Sequence, residues 1–222
     1  MKTKHISVYY LVVFFSYLLA TLYSFSINPQ VKTNRKDSLK VENAVPAVSE
    51  QTEFKDFSIY KRSYTVHFDL DYVWKNYFNM NPYVAWSGPI NYTKLVYHPE
   101  KGYQHGEIEE GSKLLLQLKL FKKLNLEALF IVTDVDTINH SIQFCYGEKN
   151  ITKGLQEITF HQSQEGTVIK HFTIYKSASG FRDKILYPPF HKKCIDEFHK
   201  TMHTTMVKNS IYLSDKPPFR FR

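Results

Sequence analysis

The chain has 222 residues, of which 43% are hydrophobic and 23% charged, a length and composition that fit one globular domain with extra segments and exclude wholesale disorder. Its two cysteines are too few for a disulfide framework, and we expect two free thiols. The net charge of +8 is scattered, without a dense Lys/Arg stripe or a nucleic-acid motif, so we expect no nucleic-acid partner.

The N-terminal segment, residues 1–27, is typical of an export signal or a membrane anchor. Lys2 and Lys4 precede an uncharged run from Ile6 to Val31 whose centre is almost wholly apolar. A basic start before such a run favours a signal peptide, whereas about 20 apolar residues also suffice for a transmembrane anchor. Both alternatives stay open. Both predict a domain that is exported to the cell envelope or secreted, or held at a membrane by residues 6–27.

Residues 28–57 are polar and aperiodic, which predicts a flexible linker. The domain proper is expected at residues 58–208. Alternating apolar residues predict a first strand around Tyr64–Phe68. Asp69 has the position of an N-cap, and apolar residues recur at helical spacing from Leu70 to Phe78. A second short helix is predicted at Tyr83–Trp86.

Strand patterns then follow one another with short connections, which favours an antiparallel sheet over βαβ units. The predicted strands are Tyr92–Tyr97, Leu114–Leu120, Leu124–Thr133, Ile138–Tyr146, Leu155–His161 and Thr167–Tyr175. The last two form a hairpin around Gln164-Glu165-Gly166. A final helix begins near Pro188-Pro189 and runs to about Lys208, and residues 209–222 are predicted to be a tail.

This order of elements resembles the helix-grip superfamily (SRPBCC), which includes START lipid-transfer domains, pollen-allergen-like proteins and polyketide cyclases. The resemblance covers roughly Ile59 to Lys208 and rests on the Asp69–Phe78 helix after strand one and on the long C-terminal helix. It implies an α+β fold in which a curved antiparallel sheet of about six to seven strands wraps around the last helix, with two short helices after strand one. It also implies a cavity for sterols, phospholipids, fatty acids or aromatic polyketides. Some members are enzymes.

Candidate ligand-binding residues are those expected to face this cavity or its mouth: Trp74, Trp86, Phe144, Tyr146, His171, Tyr175, His191, Phe198 and Met202. Alternatively, the same residues fill an apolar core and leave no ligand cavity. The inward face of the last strand stays open, because Val168, Phe172 and Ile174 compete with the face that carries His171 and Tyr175. By the resemblance, Trp86 borders the cavity mouth, whereas Trp74 belongs first to a helical core stripe.

The sequence contains no pattern strong enough to name a reaction. His171 and His191 are the alternatives for a general base, since histidine titrates near neutral pH. His199 and His203 have the i, i+4 spacing that a metal bridges, yet no His-Glu-x-x-His pattern accompanies them, so no metal and no cofactor are expected. Arg182-Asp183, at the entrance to the last helix, is expected either to pair internally or to meet a charged headgroup.

The predicted function is non-enzymatic binding or carriage of a lipid or another hydrophobic small molecule in an internal cavity. The predicted partners are that molecule and a membrane, reached through the N-terminal segment. Two alternatives remain: a cyclase- or hydrolase-like enzyme that uses a cavity histidine as general base, and a structural envelope protein with a filled core and no ligand.

Overall fold

The structure is a computed structural model that describes residues 45–46, 53–79, 92–98, 102–103, 108–120, 124–148 and 150–214. The predicted N-terminal segment, most of the linker, the predicted helix at Tyr83–Trp86 and the end of the chain lie outside the described residues. Within those ranges, none of the helices has the length and apolar character needed to cross a bilayer.

The helices and strands follow the predicted order. They are β1 (Ser58–Val66), α1 (Leu70–Phe78), β2 (Tyr92–His98), β3 (Gly102–Tyr103), β4 (Lys113–Leu120), β5 (Leu124–Asp136), β6 (Ser141–Tyr146), β7 (Lys153–Ser163), β8 (Gly166–Lys176), a π-helical turn (Arg182–Leu186) and α2 (Tyr187–Ser214). Helix α2 continues beyond the predicted end near Lys208. The first helix-breaking residues after that position are Pro217-Pro218, which explains the extension.

The strands form one antiparallel sheet of eight strands in the order β1-β8-β7-β6-β5-β4-β2-β3. The first and last strands pair along their whole length, from Ser58 opposite Tyr175 to Val66 opposite Thr167. The α+β arrangement of a curved antiparallel sheet with a long closing helix is therefore confirmed. The strand beyond the expected six to seven is β3, which contributes only two residues.

Local sequence signals hold the ends of these elements. The Asp69 carboxylate accepts a hydrogen bond from the Tyr72 backbone N–H at 2.8 Å, which caps α1. In the β7–β8 hairpin, Ser163 pairs with Gly166. Gly166 has φ +124°, and a Cβ there would lie 2.2 Å from the Val66 carbonyl oxygen, so no other residue fits this turn.

Alternate residues of the strands face α1 and α2 across one buried core. On β8 the inward side chains include Ile169, His171, Thr173 and Tyr175, each at most 2% exposed. The structure thus selects the His171/Tyr175 face that the sequence left open. The Tyr72 hydroxyl donates to the Met206 carbonyl at 2.8 Å, which ties α1 to α2.

Candidate functional site

A continuous run of hydrogen bonds crosses the space between the sheet and the helices. We call its members the polar chain; in order they are Tyr77 of α1, His199 of α2, His171 of β8, Gln156 of β7, Tyr146 of β6 and Tyr187 of α2. Each side chain is at most 8% exposed. Buried polar groups are costly unless they are hydrogen-bonded, and here each satisfies its neighbour.

The histidine half of the polar chain is tightly spaced. The Tyr77 hydroxyl lies 2.7 Å from His199 Nδ1, and His199 Nε2 lies 2.9 Å from His171 Nδ1. His171 Nε2 is 3.0 Å from Gln156 Oε1. Both ring nitrogens of both histidines are therefore engaged, which fixes the orientation of the two rings.

The tyrosine half begins where Gln156 Nε2 donates to the Tyr146 hydroxyl at 2.9 Å. The Tyr146 and Tyr187 hydroxyl oxygens lie 2.5 Å apart. Two hydroxyl hydrogens are present in this pair, but only one of them is needed for the bond between them. The other can be donated to a further acceptor, and we call it the spare donor of the pair.

Proton positions in the polar chain follow from the amide of Gln156. Because Gln156 Oε1 only accepts, His171 Nε2 carries the hydrogen and His171 Nδ1 accepts from His199 Nε2. Neutral His199 then accepts from the Tyr77 hydroxyl through Nδ1. The donors thus point the same way from Tyr77 as far as the Tyr146 hydroxyl, whereas either hydroxyl can donate in the Tyr146–Tyr187 pair.

Burial keeps these groups uncharged. It lowers the pKa of His171 to about 3 and also lowers the pKa of His199, with a further contribution from His171 nearby. Burial raises the pKa of Tyr146 to about 12 and raises the pKa values of Tyr77 and Tyr187. At neutral pH the polar chain therefore presents oriented dipoles and no net charge.

The start of α2 adds an aromatic cluster beside the polar chain. The Tyr187 ring stacks on His191 with centroids 4.9 Å apart, and it lies 4.4 Å from the Tyr175 ring. His191 Nε2 is 3.0 Å from Thr173 Oγ1, and burial lowers the pKa of His191 to about 3. The Tyr175 hydroxyl donates to the Asp183 carbonyl at 2.8 Å.

Arg182 and Asp183 are both buried at the entrance to α2. The Arg182 guanidinium donates to the Thr152 hydroxyl and lies 5.4 Å from the centre of the Tyr187 ring. The Asp183 carboxylate accepts from the Ser177 backbone N–H at 2.6 Å and from its hydroxyl at 2.7 Å. Both side chains thus hold the β8–α2 connection in place next to the spare donor.

The inner faces of β4, β5 and β6 are apolar in contrast. Four side chains make up what we call the apolar wall: Leu114, Val132, Ile142 and Phe144, each at most 7% exposed. Wall and polar chain meet where Phe144 pairs with Gln156 across β6 and β7. Outside the wall, the half-buried Phe130 ring also lies 4.7 Å from the Tyr146 ring. The interior is therefore divided between a hydrogen-bonding side and an apolar side.

The predicted ligand-binding residues fall into several groups. Tyr146 and His171 belong to the polar chain, Phe144 to the apolar wall, Tyr175 and His191 to the aromatic cluster, and Phe198 and Met202 to the buried face of α2. Trp74 is half-buried and packs edge-on against Phe160, 5.5 Å away, and against His140, 5.3 Å away. Trp86 lies outside the described residues.

Four members of the polar chain were missed as ligand contacts by sequence reasoning: Tyr77, Gln156, Tyr187 and His199. Gln156 left a usable signal, because it is a polar residue on the buried face of a strand, two positions before Ile158. His199 was considered only as a metal ligand with His203. The structure separates that pair, since His199 is buried in the polar chain and His203 is exposed.

A groove of about 210 Å³ lies on the outer side of α2, lined by Pro189, Lys192, Lys193, Asp196, Glu197 and Lys200. Ligand sites commonly enclose about 300 Å³ or more. Asp196 in this groove already accepts from the Tyr64 hydroxyl at 2.7 Å and from Lys192 at 2.5 Å, and pairs with Arg62 at 3.1 Å. The small volume and the engaged Asp196 make the groove a weak candidate for a ligand site.

No family model and no curated protein matches the sequence. Solved structures do match. The norcoclaurine synthase of Thalictrum flavum in complex with dopamine and hydroxybenzaldehyde is 12% identical, with a TM-score of 0.53 over 81% of this chain and 95% of that one. The major latex-like protein 151 of Panax ginseng is 11% identical, with a TM-score of 0.53 over 68% and 98%. At such identities the likeness concerns the fold alone.

Proposed function

We propose that this chain, which has the helix-grip fold, binds a predominantly apolar small molecule or lipid between the sheet and α2, without chemical conversion. The bound molecule lies against the apolar wall and carries a carbonyl, carboxyl or ether oxygen that accepts the spare donor of Tyr146 and Tyr187. The domain acts in the cell envelope or outside the cell, exported or held at a membrane by residues 6–27.

The observation that carries this proposal is the spare hydroxyl hydrogen at the junction of the polar chain and the apolar wall. A hydrogen bond from this hydroxyl to an oxygen atom of a ligand would contribute about 0.5–1.5 kcal/mol to binding. Ligand sites combine a mostly apolar lining with a few well-placed polar groups, which is the composition found at this junction. The fold is shared with the synthase, whose structure contains dopamine and hydroxybenzaldehyde, and this likeness supports the proposal that a small molecule binds here.

The general-base alternative receives less support from the geometry. A base needs a free lone pair within reach of the substrate, whereas both nitrogens of His171 are engaged and its pKa lies at about 3. His191 has a pKa of about 3 as well and faces Thr173. Binding is therefore the function that this arrangement favours.

Native mass spectrometry with lipid extraction on the purified chain tests the proposal. We expect a discrete apolar molecule of defined mass to co-purify. Because either hydroxyl can be the donor in this pair, the double variant Tyr146→Phe/Tyr187→Phe is needed to remove the spare donor. It leaves both rings in place, and its affinity for the co-purified molecule is expected to fall about 5- to 30-fold, the effect of one hydrogen bond.

Tyr72→Phe is the matched control, since its hydroxyl donates to the Met206 carbonyl away from the junction. It is expected to bind the molecule as the wild type does. A ligand-free mass that stays unchanged after incubation with mixed lipids would favour the filled-core structural protein instead. Turnover of the bound molecule would favour the enzyme.

A further inference from the structure

Exposed apolar side chains are concentrated at one end of the sheet. The described residues include six exposed large hydrophobic side chains, and four of them, which we call the end patch, are Val45 (46% exposed), Ile151 (41%), Phe181 (47%) and Ile185 (55%). Scattered exposed apolar residues are ordinary, whereas a contiguous group marks an interaction surface.

Hydrogen bonds bring the members of the end patch together from distant parts of the sequence. The Glu148 backbone N–H donates to the Val45 carbonyl at 3.0 Å, and Pro46 forms a β-bridge with Gly147. These contacts place Val45 beside the β6–β7 connection that contains Ile151. Arg182 in turn donates to Thr152, which brings the β8–α2 connection and its Phe181 to the same place.

Exposed lysines flank the end patch. Lys153 lies two residues after Ile151, Lys184 directly precedes Ile185, and both lysines are exposed. Asp183 is buried and bonded to Ser177, so it adds little to the surface potential. Two described acidic residues are also exposed at this end: Glu148, and Asp56, which pairs at 3.5 Å with Lys176, the cross-strand partner of Lys153. Exposed apolar side chains flanked by lysines are the combination that enters the interface of an anionic bilayer.

The chain that precedes the end patch points to the same partner. Val45 follows the uncharged run that ends at Val31, and residues 32–44 span at most about 50 Å when fully extended. If the run enters a bilayer, as proposed above, the first described residue of the domain is tethered to that bilayer and already lies within the end patch.

We propose that the end patch docks onto the surface of a bilayer that contains anionic lipids. Phe181, Ile185, Ile151 and Val45 enter the interface, and Lys153 and Lys184 contact the headgroups. Arg182 links this surface to the Tyr187 end of the polar chain, so docking places the proposed ligand site next to the bilayer. This inference rests on the proposed membrane anchoring and is independent of ligand binding.

The experiment compares two exposed isoleucines in the full chain reconstituted into vesicles of phosphatidylcholine and phosphatidylglycerol. Ile185→Cys and Ile138→Cys are each labelled with an NBD maleimide; Ile138 is 86% exposed in the β5–β6 turn, at the other end of β6. The native thiols, Cys145 and Cys194, are buried and are expected to react slowly. We expect NBD emission at position 185 to rise about threefold and to be quenched by doxyl lipids, with little change at position 138.

Charge reversal supplies the second variant. Adding Lys184→Glu to the labelled Ile185→Cys chain is expected to lower the emission in phosphatidylglycerol vesicles but not in vesicles of phosphatidylcholine alone. Equal emission at positions 185 and 138, or failure of the chain to incorporate, overturns the proposal. NBD emission that rises with protein concentration and not with lipid concentration would show that the end patch contacts a second copy of this chain. That outcome also overturns the proposal. A co-purifying ligand under any of these outcomes leaves the binding function intact.

Discussion

The two sides of the interior are buried to a similar degree but are stabilised by different forces. The apolar wall is held by non-directional burial, which depends on the area removed from water. The polar chain is held by directional bonds between partners on five different strands and helices, from Tyr77 to Tyr187. Burial alone therefore says little about how a region responds to pH or to mutation, because the response depends on which groups are buried.

Acidification is expected to have the largest effect on stability, because it acts on the buried histidines and not on the apolar wall. The folded pKa values of His171, His191 and His199 lie below their ordinary value of 6.5. The stability that these neutral rings contribute is therefore complete above about pH 6.5 and is lost as the pH falls. Three protons taken up on unfolding correspond to a loss of about 6 kcal/mol between pH 8 and pH 5. Urea unfolding at several pH values measures this loss of stability.

The exposed His203 provides a control for this experiment. His203→Gln is expected to leave the pH dependence of the free energy of unfolding unchanged. His191→Gln is expected to reduce the number of protons taken up on unfolding by about one. A free energy of unfolding that stays constant between pH 8 and pH 5 would contradict the neutral, buried state of the polar chain.

Truncation in the apolar wall is expected to have the next largest effect. Phe144→Ala removes a side chain that is only 7% exposed and is expected to lower the free energy of unfolding by about 4 kcal/mol, through lost burial and the cavity that remains. Phe172→Ala is the control, because Phe172 lies half-buried on the outer face of β8 and should cost about 1 kcal/mol. Equal losses for both variants would mean that the wall is not a packed surface.

A break at the centre of the polar chain is expected to lower the free energy of unfolding somewhat less. The effects of neighbouring substitutions there should be more strongly coupled. His171→Leu leaves Gln156 Oε1 and His199 Nε2 without their partner and is expected to cost about 3 kcal/mol. Adding Gln156→Leu removes one of these orphaned groups, so the double variant should cost less than the sum of the single ones. Additive losses in a double-mutant cycle would show that the bonds act independently.

The smallest effect is expected outside the interior, at the Arg62–Asp196 ion pair. Its two side chains remain 37% and 30% exposed at 3.1 Å separation, so solvent screens the attraction. Arg62→Met is expected to lower stability by about 0.5 kcal/mol at low salt and by less at high salt. A loss comparable to that of Phe144→Ala would show that burial is a poor guide to the energetics of this domain.

Local sequence patterns determined the elements of this protein and their order. The Asp69 cap, the helical spacing from Leu70 to Phe78 and the alternation along Ile142, Phe144 and Tyr146 each depend on neighbours a few residues away. Such signals survive in a single sequence because the periods of helix and strand are fixed by the backbone. The helix-grip architecture itself was inferred from the resemblance of this element order to a known superfamily, and the structure confirms it.

The tertiary structure alone decided which polar residues act together. Tyr77 meets His199 across 122 positions, and His171 meets His199 across 28. The inward face of β8 was likewise settled by the helices that cover it, since Ile169 shares a core with Tyr77 of α1 and Phe198 of α2. No local period encodes such meetings, because they depend on strand register and on where α1 and α2 cross the sheet. Sequence therefore predicted Tyr146 and His171 as separate candidates, and only the fold joined them through Gln156.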